Sequence, residues 1–350
     1  MSVTLARPYL VPLVPLYSAG VAVRNWFFDI GLLRKTKIGV PVISVGNLDA
    51  GGAGKTPLVE YIARKLTSRG RKVAIVSRGY GRTTSGMVVV SNGAVLCAEA
   101  SASGDEPAQM AAKLSGVRIV VDEVRARGAA YAVSKLGAEV IVLDDGFQHQ
   151  YVHRDVNIVV VPAESATDTT WMLPAGNRRE PLSSLRRATI VALSRCESAD
   201  QLNDAKLAID RWAKKPMIGL TTKVSAVRRA STRFSVDLAG LKGKSVIAFS
   251  GVGDPKSFER TIASLGLQLK THAAFPDHHQ YTPAELRLLE QSLKTHAADY
   301  LVTTEKDIAR LSAGDDERKK FLDRTPVFYV EIEQQMIEGE AMLNEILTQI

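Results

Sequence analysis

The sequence has little cysteine and no charge-free run at its start that is long enough to cross a bilayer. Cys97 and Cys196 are the only cysteines among 350 residues, which excludes a disulfide framework or a cysteine-based zinc site and suits a reducing compartment. The uncharged apolar stretch over residues 9–23 falls short of the about 20 residues that a transmembrane helix needs. A disulfide-stapled scaffold is therefore excluded, and a spanning helix is not favoured.

Low-complexity tracts and internal repeats are also missing. With 45% hydrophobic and 23% charged residues, the composition is that of a globular protein of about two domains, so disorder, collagen and coiled coil are excluded as the main architecture. The net charge of +8 suits nucleic acid, an anionic membrane or a phosphorylated substrate. Acidic residues interleave with the basic ones, and no basic face carries aromatic residues, so we expect no nucleic-acid partner.

Residues 1–34 differ from the rest of the chain. Prolines between residues 8 and 15 interrupt the apolar stretch, aromatic residues occupy positions 26–28, and four basic residues follow between positions 24 and 37. This pattern predicts a segment that lies at an anionic membrane surface. The alternative is a helix packed on the protein's own core.

From residue 40 onward, short β-branched runs alternate with helical patterns, which predicts an α/β fold with a mostly parallel sheet and helices on both faces. We assign residues 35–232 to this unit and 233–333 to a second, smaller α/β unit, and expect a helix over 334–350. The predicted strands cover residues 41–45, 72–76, 117–121, 140–143, 156–161 and 190–193, an edge strand at 217–224, and, in the second unit, 246–250, 300–303 and 327–330.

The glycine-rich segment over residues 46–57 follows a predicted strand and opens a predicted helix, as a phosphate-binding loop does. Its backbone N–H groups would converge on phosphate oxygens, Lys55 would reach the β- and γ-phosphates of ATP, and Thr56 would ligate Mg²⁺. One departure is Asp49, which stands where the standard pattern has glycine. The sequence has no guanine-recognition motif. Residues 304–307 are only partly similar to one, so GTP is not favoured as the nucleotide.

A second signal is the buried apolar strand that ends in Asp144 and Asp145. A carboxylate at the end of such a strand is the usual partner of Mg²⁺ beside a phosphate loop. Asp144 is the default ligand and Asp145 the alternative. If the motif has no function, the aspartate is simply a solvated carboxylate in a turn.

Phosphoryl transfer to an alcohol also needs a proton acceptor and cations. Asp105 or the pair Asp277–His278 would accept the proton, and Arg78 and Arg82 would neutralise phosphates. The alternative is that these residues have no catalytic role: Asp105 would then cap the N-terminus of a helix, and the other residues would be solvated loop residues. A metal site over 277–279 lacks further ligands at a useful spacing.

Taken together, these motifs resemble the tetraacyldisaccharide 4′-kinase family, the lipid A 4′-kinases. They run in family order along nearly the whole chain and comprise residues 45–57, 77–82, 104–107, 143–149, 173–181, 249–255, 275–278 and 304–307. The resemblance implies ATP-dependent phosphorylation of the 4′-hydroxyl of a tetraacylated glucosamine disaccharide 1-phosphate, at the cytoplasmic face of a Gram-negative inner membrane. It also implies a membrane-associated N-terminal segment, and we expect no obligate protein partner.

The resemblance also assigns roles to individual residues. Asp105 corresponds to the general base of a catalytic dyad, and His278 to its partner. The acidic pair corresponds to Asp144 and Asp145. The phosphate loop corresponds to Gly51, Gly52, Ala53, Gly54, Lys55 and Thr56.

Four further residues match family positions near the nucleotide or the lipid headgroup. Arg78 and Tyr80 are expected at the nucleotide, and Arg127 and Glu180 at the lipid. Arg125 competes with Arg127 for the same family position. We further expect closure of a cleft between the two units to bring the dyad together.

Two other kinds of protein share parts of this pattern. An ATPase switch of the partition or metallochaperone kind uses a similar loop, often with lysine where this chain has Ala50. A kinase for a soluble small molecule would use the same loop with an N-terminus that merely completes the core.

Overall fold

The computed structural model describes residues 7–168, 170–277, 279–312 and 316–350. It has an α/β architecture whose strands join in a single twelve-stranded sheet of order β10-β9-β11-β12-β8-β7-β6-β1-β5-β2-β4-β3. The strands are β1 (Val42–Asn47), β2 (Val73–Ser77), β3 (Val88–Asn92), β4 (Arg118–Val121), β5 (Val140–Asp144), β6 (Val156–Pro162), β7 (Ile190–Ser194), β8 (Met217–Arg229), β9 (Ser245–Ser250), β10 (Gln268–Ala274), β11 (Tyr300–Thr304) and β12 (Val327–Glu338).

Helices cover both faces of this sheet, as predicted. The α-helices of the described residues are α1 (Val14–Asp29), α2 (Lys55–Ser68), α3 (Ala100–Ser103), α4 (Asp105–Lys113), α5 (Arg125–Leu136), α6 (Ala163–Thr167), α7 (Ala199–Asp210), α8 (Leu238–Leu241), α9 (Pro255–Ser264), α10 (Pro283–Thr295), α11 (Glu305–Ser312), α12 (Asp316–Arg324) and α13 (Glu340–Thr348). Two 3₁₀-helices, Pro8–Leu13 and Leu182–Arg187, complete the set.

Alternate residues of the central strands point to opposite cores. Ile43 and Val45 pack on the face that α2 covers, whereas Val42 packs on the face that α5 covers. Strands β1, β2, β5, β6 and β7 are buried along their whole length because both faces are covered. Burial on both faces explains why these strands are continuous β-branched runs in the sequence. The predicted parallel sheet is confirmed.

The long strands β8 and β12 correct two expectations. β8 is not an edge strand, because it pairs with β7 on one side and antiparallel with β12 on the other. β12 extends to Glu338, so the helix expected over 334–350 begins only at Glu340. Pairing with β8 supplies hydrogen-bond partners for residues 334–338 that local pattern cannot reveal. Residues 35–232 are called the first block and residues 233–333 the second block below. Because β8 of the first block pairs with β12, which begins in the second, the two blocks share one sheet, and the division at residue 232 stays a prediction.

The N-terminal segment forms a short 3₁₀-helix followed by α1. One face of α1 buries Val21, Asn25 and Phe28 against the body of the protein. The opposite face exposes large apolar side chains, among them Leu16, Val23 and Trp26. Among the described residues, no helix combines the length and the apolar character that crossing a membrane requires.

Candidate active site

The glycine-rich loop lies between β1 and α2, near the middle of the sheet. Strand β1 ends at Asn47, and α2 begins at Lys55 directly after Gly54. Gly54 has a φ of +86°, a left-handed conformation in which glycine carries no steric penalty. The Asn47 side-chain amide donates to the Asp49 carbonyl at 2.7 Å and stabilises the turn. The loop therefore leads directly into the N-terminus of α2, where no side chain caps the helix, and a helix N-terminus of this kind is suited to bind a phosphate.

Asp49, the departure from the standard pattern, has a structural role. Its carboxylate lies 3.4 Å from the guanidinium of Arg178. The backbone of the same segment also fixes the loop, because the Asn177 carbonyl accepts from the Ala50 N–H at 2.7 Å and the Arg179 N–H donates to the Leu48 carbonyl at 2.7 Å. The family motif over residues 173–181 therefore supports the phosphate loop.

The two adjacent aspartates at the end of β5, Asp144 within the strand and Asp145 directly after it, lie in different environments. Asp144 is only 2% exposed, and its Oδ2 accepts from the Ser77 hydroxyl at 3.1 Å. Burial, together with the negative charges of Glu106 and Asp145, raises the pKa of Asp144 to about 7. Asp145 is half-buried, and desolvation alone would raise its pKa, but Lys55 at 3.4 Å and Arg179 at 3.1 Å outweigh that effect and lower the pKa. The two carboxylates thus differ in charge compensation.

The residues present fit a Mg²⁺ ion. Oδ1 of Asp144 is buried and has no hydrogen-bond partner among the described residues. Thr56, the second residue of α2, is buried at the same edge of the sheet, where β1 pairs with β5 through Val45 and Asp144. Carboxylate and hydroxyl oxygens are the donors that Mg²⁺ prefers, and a buried anionic oxygen without a partner is an unfavourable state that a cation relieves.

Asp105 is the first residue of α4, beside the loop that follows β2. Its Oδ2 accepts a hydrogen bond from Nε of Arg310 at 2.7 Å. The neighbouring Glu106 forms an ion pair with Lys306, and the charge of Glu106 also acts on Asp144. The start of α4 therefore lies close enough to Asp144 for their charges to interact, and α11 holds Asp105. His278, its expected partner, lies outside the described residues.

Residues of the second block reach the phosphate loop from the other side. A Cβ atom added at Gly253 would lie 3.3 Å from Oδ2 of Asp277 and 4.0 Å from the backbone nitrogen of Gly52. Arg195 connects the two sides, because its guanidinium donates to the Gly52 carbonyl and to the Asp254 carboxylate. Sequence reasoning missed Arg195; its only signal is its position at the end of β7.

The sequence predicts arginines near the nucleotide or the lipid, and the three candidates differ in burial and in hydrogen-bond partners. Arg125 is buried, and burial lowers its pKa although Asp145 and Asp144 act in the opposite direction. Its Nε has no hydrogen-bond partner among the described residues. Arg127 instead forms a two-pronged pair with Asp122, with both distances 2.8 Å, and its side chain is half exposed. Arg78 is exposed.

The other residues that the sequence singles out lie on loops. Tyr80 follows β2 and is exposed. Arg82 pairs with Glu123. His279 contacts Glu285 at 3.0 Å, and the described residues contain no group of three potential metal ligands, so the possible metal site over 277–279 has no support in them.

Glu180 is completely buried and fixes α1 to the body of the protein. Its carboxylate accepts from Arg24 at 3.1 Å and from Asn25 at 3.0 Å, both on α1, and from Arg187 at 2.5 Å. Two cations and one amide thus compensate one buried anion. The contact with a lipid headgroup that we expect for Glu180 stays a prediction.

Comparisons with known proteins agree with this geometry. The family model LpxK, Tetraacyldisaccharide-1-P 4′-kinase, matches residues 6–350. A tetraacyldisaccharide 4′-kinase of Anaeromyxobacter sp. (strain Fw109-5) is 40% identical over 337 residues, which cover 95% of this chain and 88% of the relative. One from Chlorobium limicola is 34% identical, with 98% of this chain and 97% of the relative covered.

The fold also matches a crystal structure of the "apo" form of LpxK from Aquifex aeolicus in complex with ATP. The two chains are 34% identical, 98% of each is covered, and the TM-score is 0.77. An ATPase switch is not favoured, because the match to a kinase family spans the whole length of the chain. The chain belongs to the tetraacyldisaccharide-1-phosphate 4′-kinase family and is an ATP-dependent kinase.

Proposed function

We propose that this kinase transfers the γ-phosphate of ATP to the 4′-hydroxyl of a tetraacyldisaccharide 1-phosphate, with Asp105 as general base. One observation carries this assignment. The phosphate loop and the unpartnered carboxylate oxygen of Asp144 lie at the carboxyl edge of β1 and β5, and α4, which begins with Asp105, starts against the loop that follows the neighbouring strand β2. Ligand sites of open parallel sheets lie at this edge.

The phosphate loop and the acidic pair bind the nucleotide. Backbone N–H groups of residues 51–54 and the ammonium of Lys55 bind the phosphates, and Asp145 holds Lys55 in place at 3.4 Å. Thr56 and Asp144 hold Mg²⁺. When bound, this ion neutralises charge on the β- and γ-phosphates. We assign the ligand role to Asp144 rather than to Asp145, because two cations already compensate Asp145.

Asp105 accepts the proton of the acceptor hydroxyl. As the hydroxyl oxygen bonds to the γ-phosphorus, the bond between that phosphorus and the β–γ bridging oxygen breaks, and ADP leaves. General base catalysis of this kind contributes typically 10²–10⁴-fold. Arg125 is the residue that we place at the lipid headgroup, because its buried guanidinium has an unpartnered Nε, whereas Arg127 is occupied by Asp122.

The acyl chains of such a substrate keep it at a bilayer, and α1 provides the matching surface. Leu16 and Trp26 are among the exposed apolar side chains of this helix, and basic residues follow it at positions 34, 35 and 37. We propose that α1 lies in the headgroup region of the anionic cytoplasmic leaflet of the inner membrane, parallel to its plane. Glu180 then connects this surface to the catalytic block.

Phosphate transfer in detergent micelles tests the catalytic part. Purified protein, Mg²⁺, γ-labelled ATP and tetraacyldisaccharide 1-phosphate are mixed, with Lys55→Ala and Asp105→Ala beside the wild type. We expect labelled bisphosphorylated lipid from the wild type and its loss in both variants. ATP hydrolysis without labelled lipid would contradict the proposed transfer.

Vesicle flotation tests the membrane part. We expect binding to vesicles that contain anionic lipid, weakened in Trp26→Ser. Trp212→Ser is the matched control, because Trp212 is exposed to the same degree, 53% against 55%, but lies outside α1. Equal binding of the two variants would refute the role of α1.

A further inference from the structure

Arg310 has no role in the function proposed above, although it is among the most deeply buried cations of the described residues. It lies on α11 in the second block, is 3% exposed, and reaches across to α4 in the first block. Its Nε donates to Oδ2 of Asp105 at 2.7 Å, and its Nη1 donates to the Gly251 carbonyl at 2.9 Å and to Asp307 at 3.0 Å. One guanidinium therefore contacts both the expected general base and the loop after β9, whose Gly253 faces Gly52 of the phosphate loop.

Asp307 is a rigid anchor for this guanidinium. Its Oδ1 also accepts from the Gly251 backbone at 3.0 Å and from the Tyr281 hydroxyl at 2.9 Å, and its Oδ2 accepts from the Thr304 hydroxyl at 2.6 Å. Burial and the charge of Asp307 raise the pKa of Tyr281, so the phenol stays a donor. The motif over residues 304–307, a loose echo of a guanine-reading sequence, thus forms a buried network instead.

We propose that Arg310 is a positioning residue that orients the Asp105 carboxylate for proton abstraction, with the motif over 304–307 as its support. This inference rests on the proposed function of Asp105. A guanidinium does not lose its proton in proteins, so Arg310 transfers none. It fixes the Oδ2 atom of Asp105 and so sets the direction in which the carboxylate faces the acceptor. The fork geometry of arginine lets it contact Asp105 and Asp307 at the same time, which a lysine ammonium does with poorer geometry.

Steady-state kinetics of the lipid kinase reaction test this role in Arg310→Met and Arg310→Lys. For Arg310→Met we expect kcat to fall on the order of 10²-fold, because a misplaced base loses that much, while KM for ATP stays within about twofold. Arg310→Lys should recover part of the loss, since it keeps the charge.

The pH profile separates positioning from structural support. Arg310 of α11 contacts Asp105 directly and also pairs with Asp307. Glu106, beside Asp105 on α4, pairs with Lys306 of α11, on which Asp277 also acts. Removing the cation closest to a carboxylate favours its protonated form. We therefore expect the acid limb of kcat to move to higher pH in Arg310→Met and to move less in Arg310→Lys.

Lys113→Met is the matched control. Lys113 lies on the same helix as Asp105 and pairs with Glu305 of α11, but the contact does not involve Asp105. We expect its kcat and acid limb to match the wild type. If Arg310→Met fails to fold because Asp307 is left unpaired, the double variant Asp307→Asn/Arg310→Met removes both charges and takes its place.

The outcomes are distinguishable. A folded Arg310 variant with wild-type kcat and an unmoved acid limb would overturn the positioning role, and so would an equal loss in Lys113→Met, which would show that docking of α11 alone matters. Absence of labelled lipid with the wild-type protein, or full activity of Asp105→Ala, would instead refute the proposed function on which the inference rests.

Discussion

Replacing Asp144 by asparagine should make the nucleotide-free protein more stable while it abolishes phosphate transfer. The side chain is 2% exposed, one of its oxygens has no partner among the described residues, and its pKa is raised to about 7. Each observation indicates that the ionised carboxylate is unfavourable in the folded protein without Mg²⁺. Asparagine has nearly the same shape and no charge.

The magnitude follows from the two pKa values. The difference between the ordinary value of 3.8 and about 7 corresponds to a destabilisation on the order of 4 kcal/mol when the carboxylate is ionised. The buried amide that Asp144→Asn introduces keeps the contact with Ser77 but leaves a donor without a partner, which costs about 1–3 kcal/mol. We therefore expect a net gain of roughly 1–3 kcal/mol above pH 7, equivalent to a few degrees in Tm.

Thermal unfolding between pH 5 and 8.5, without nucleotide, measures this effect. Folded Asp144 stays protonated between pH 4 and 7, where an unfolded aspartate is ionised, so its contribution to stability falls as the pH rises through this window and then levels off. Burial lowers the pKa of His149 to about 4, which gives a contribution of opposite sign in both proteins, so the quantity to compare is the difference between wild type and Asp144→Asn. This difference should grow in favour of the variant as the pH rises from 5 to 7. Saturating ATP with Mg²⁺, which at 100 times Kd adds about 2.7 kcal/mol, should stabilise the wild type far more than the variant.

Asp145→Asn is the opposite control on the neighbouring residue. Lys55 and Arg179 favour its ionised form and lower its pKa against the effect of burial, so its contribution to stability is present at neutral pH and is lost only in acid. This variant should therefore be less stable than the wild type at pH 8. An Asp144→Asn protein that is less stable than the wild type at pH 8, or whose stability depends on pH in the same way as that of the wild type, would refute the reasoning.

Three further substitutions test the supports of the site. Glu180→Ala should lose about 3–5 kcal/mol of unfolding free energy, because it leaves the largely buried Arg187 without its ion-pair partner, and it should expose α1 to limited proteolysis. Arg186→Ala, at an exposed ion pair, should change the unfolding free energy by less than about 1 kcal/mol. Arg195→Met should raise KM for ATP about tenfold because it frees the Gly52 carbonyl, whereas Arg260→Met, at a surface pair, should not. Gly46→Ala should destabilise the fold by about 1–3 kcal/mol in denaturant unfolding, because its Cβ would lie 2.5 Å from Phe147.

The central strands were predictable because both of their faces are buried. A strand such as β5 is a continuous apolar run in the sequence, and nothing but a covered sheet explains such a run. β12 was predicted only over residues 327–330, the part of this strand that is likewise buried at every position. Its extension through Gln334 depends on β8, about 110 residues earlier in the chain, and the half-exposed pattern of this pair has no local signature.

The site residues also fall into those that local sequence predicts and those that depend on the three-dimensional structure. The phosphate loop and Asp144 have fixed local spacings, which follow from the strand, loop and helix that they join. The choice between Arg125 and Arg127 depends on where α5 begins, since residues two apart on a helix point to different faces. The structure buries Arg125 beside the aspartates and turns Arg127 outward to Asp122, a result that spacing alone leaves open.

The contacts between the blocks show why neither block alone would form the site. The phosphate loop and Asp105 both belong to the first block, yet the residue that holds Asp105 lies on α11 of the second. Arg195 and Asp254 join the blocks at the phosphate loop itself, and β8 with β12 joins them within the sheet. A protein that bound ATP through the first block alone would have the proposed general base without the cation that contacts it. We therefore expect transfer to require both blocks in contact, whether or not they separate between turnovers.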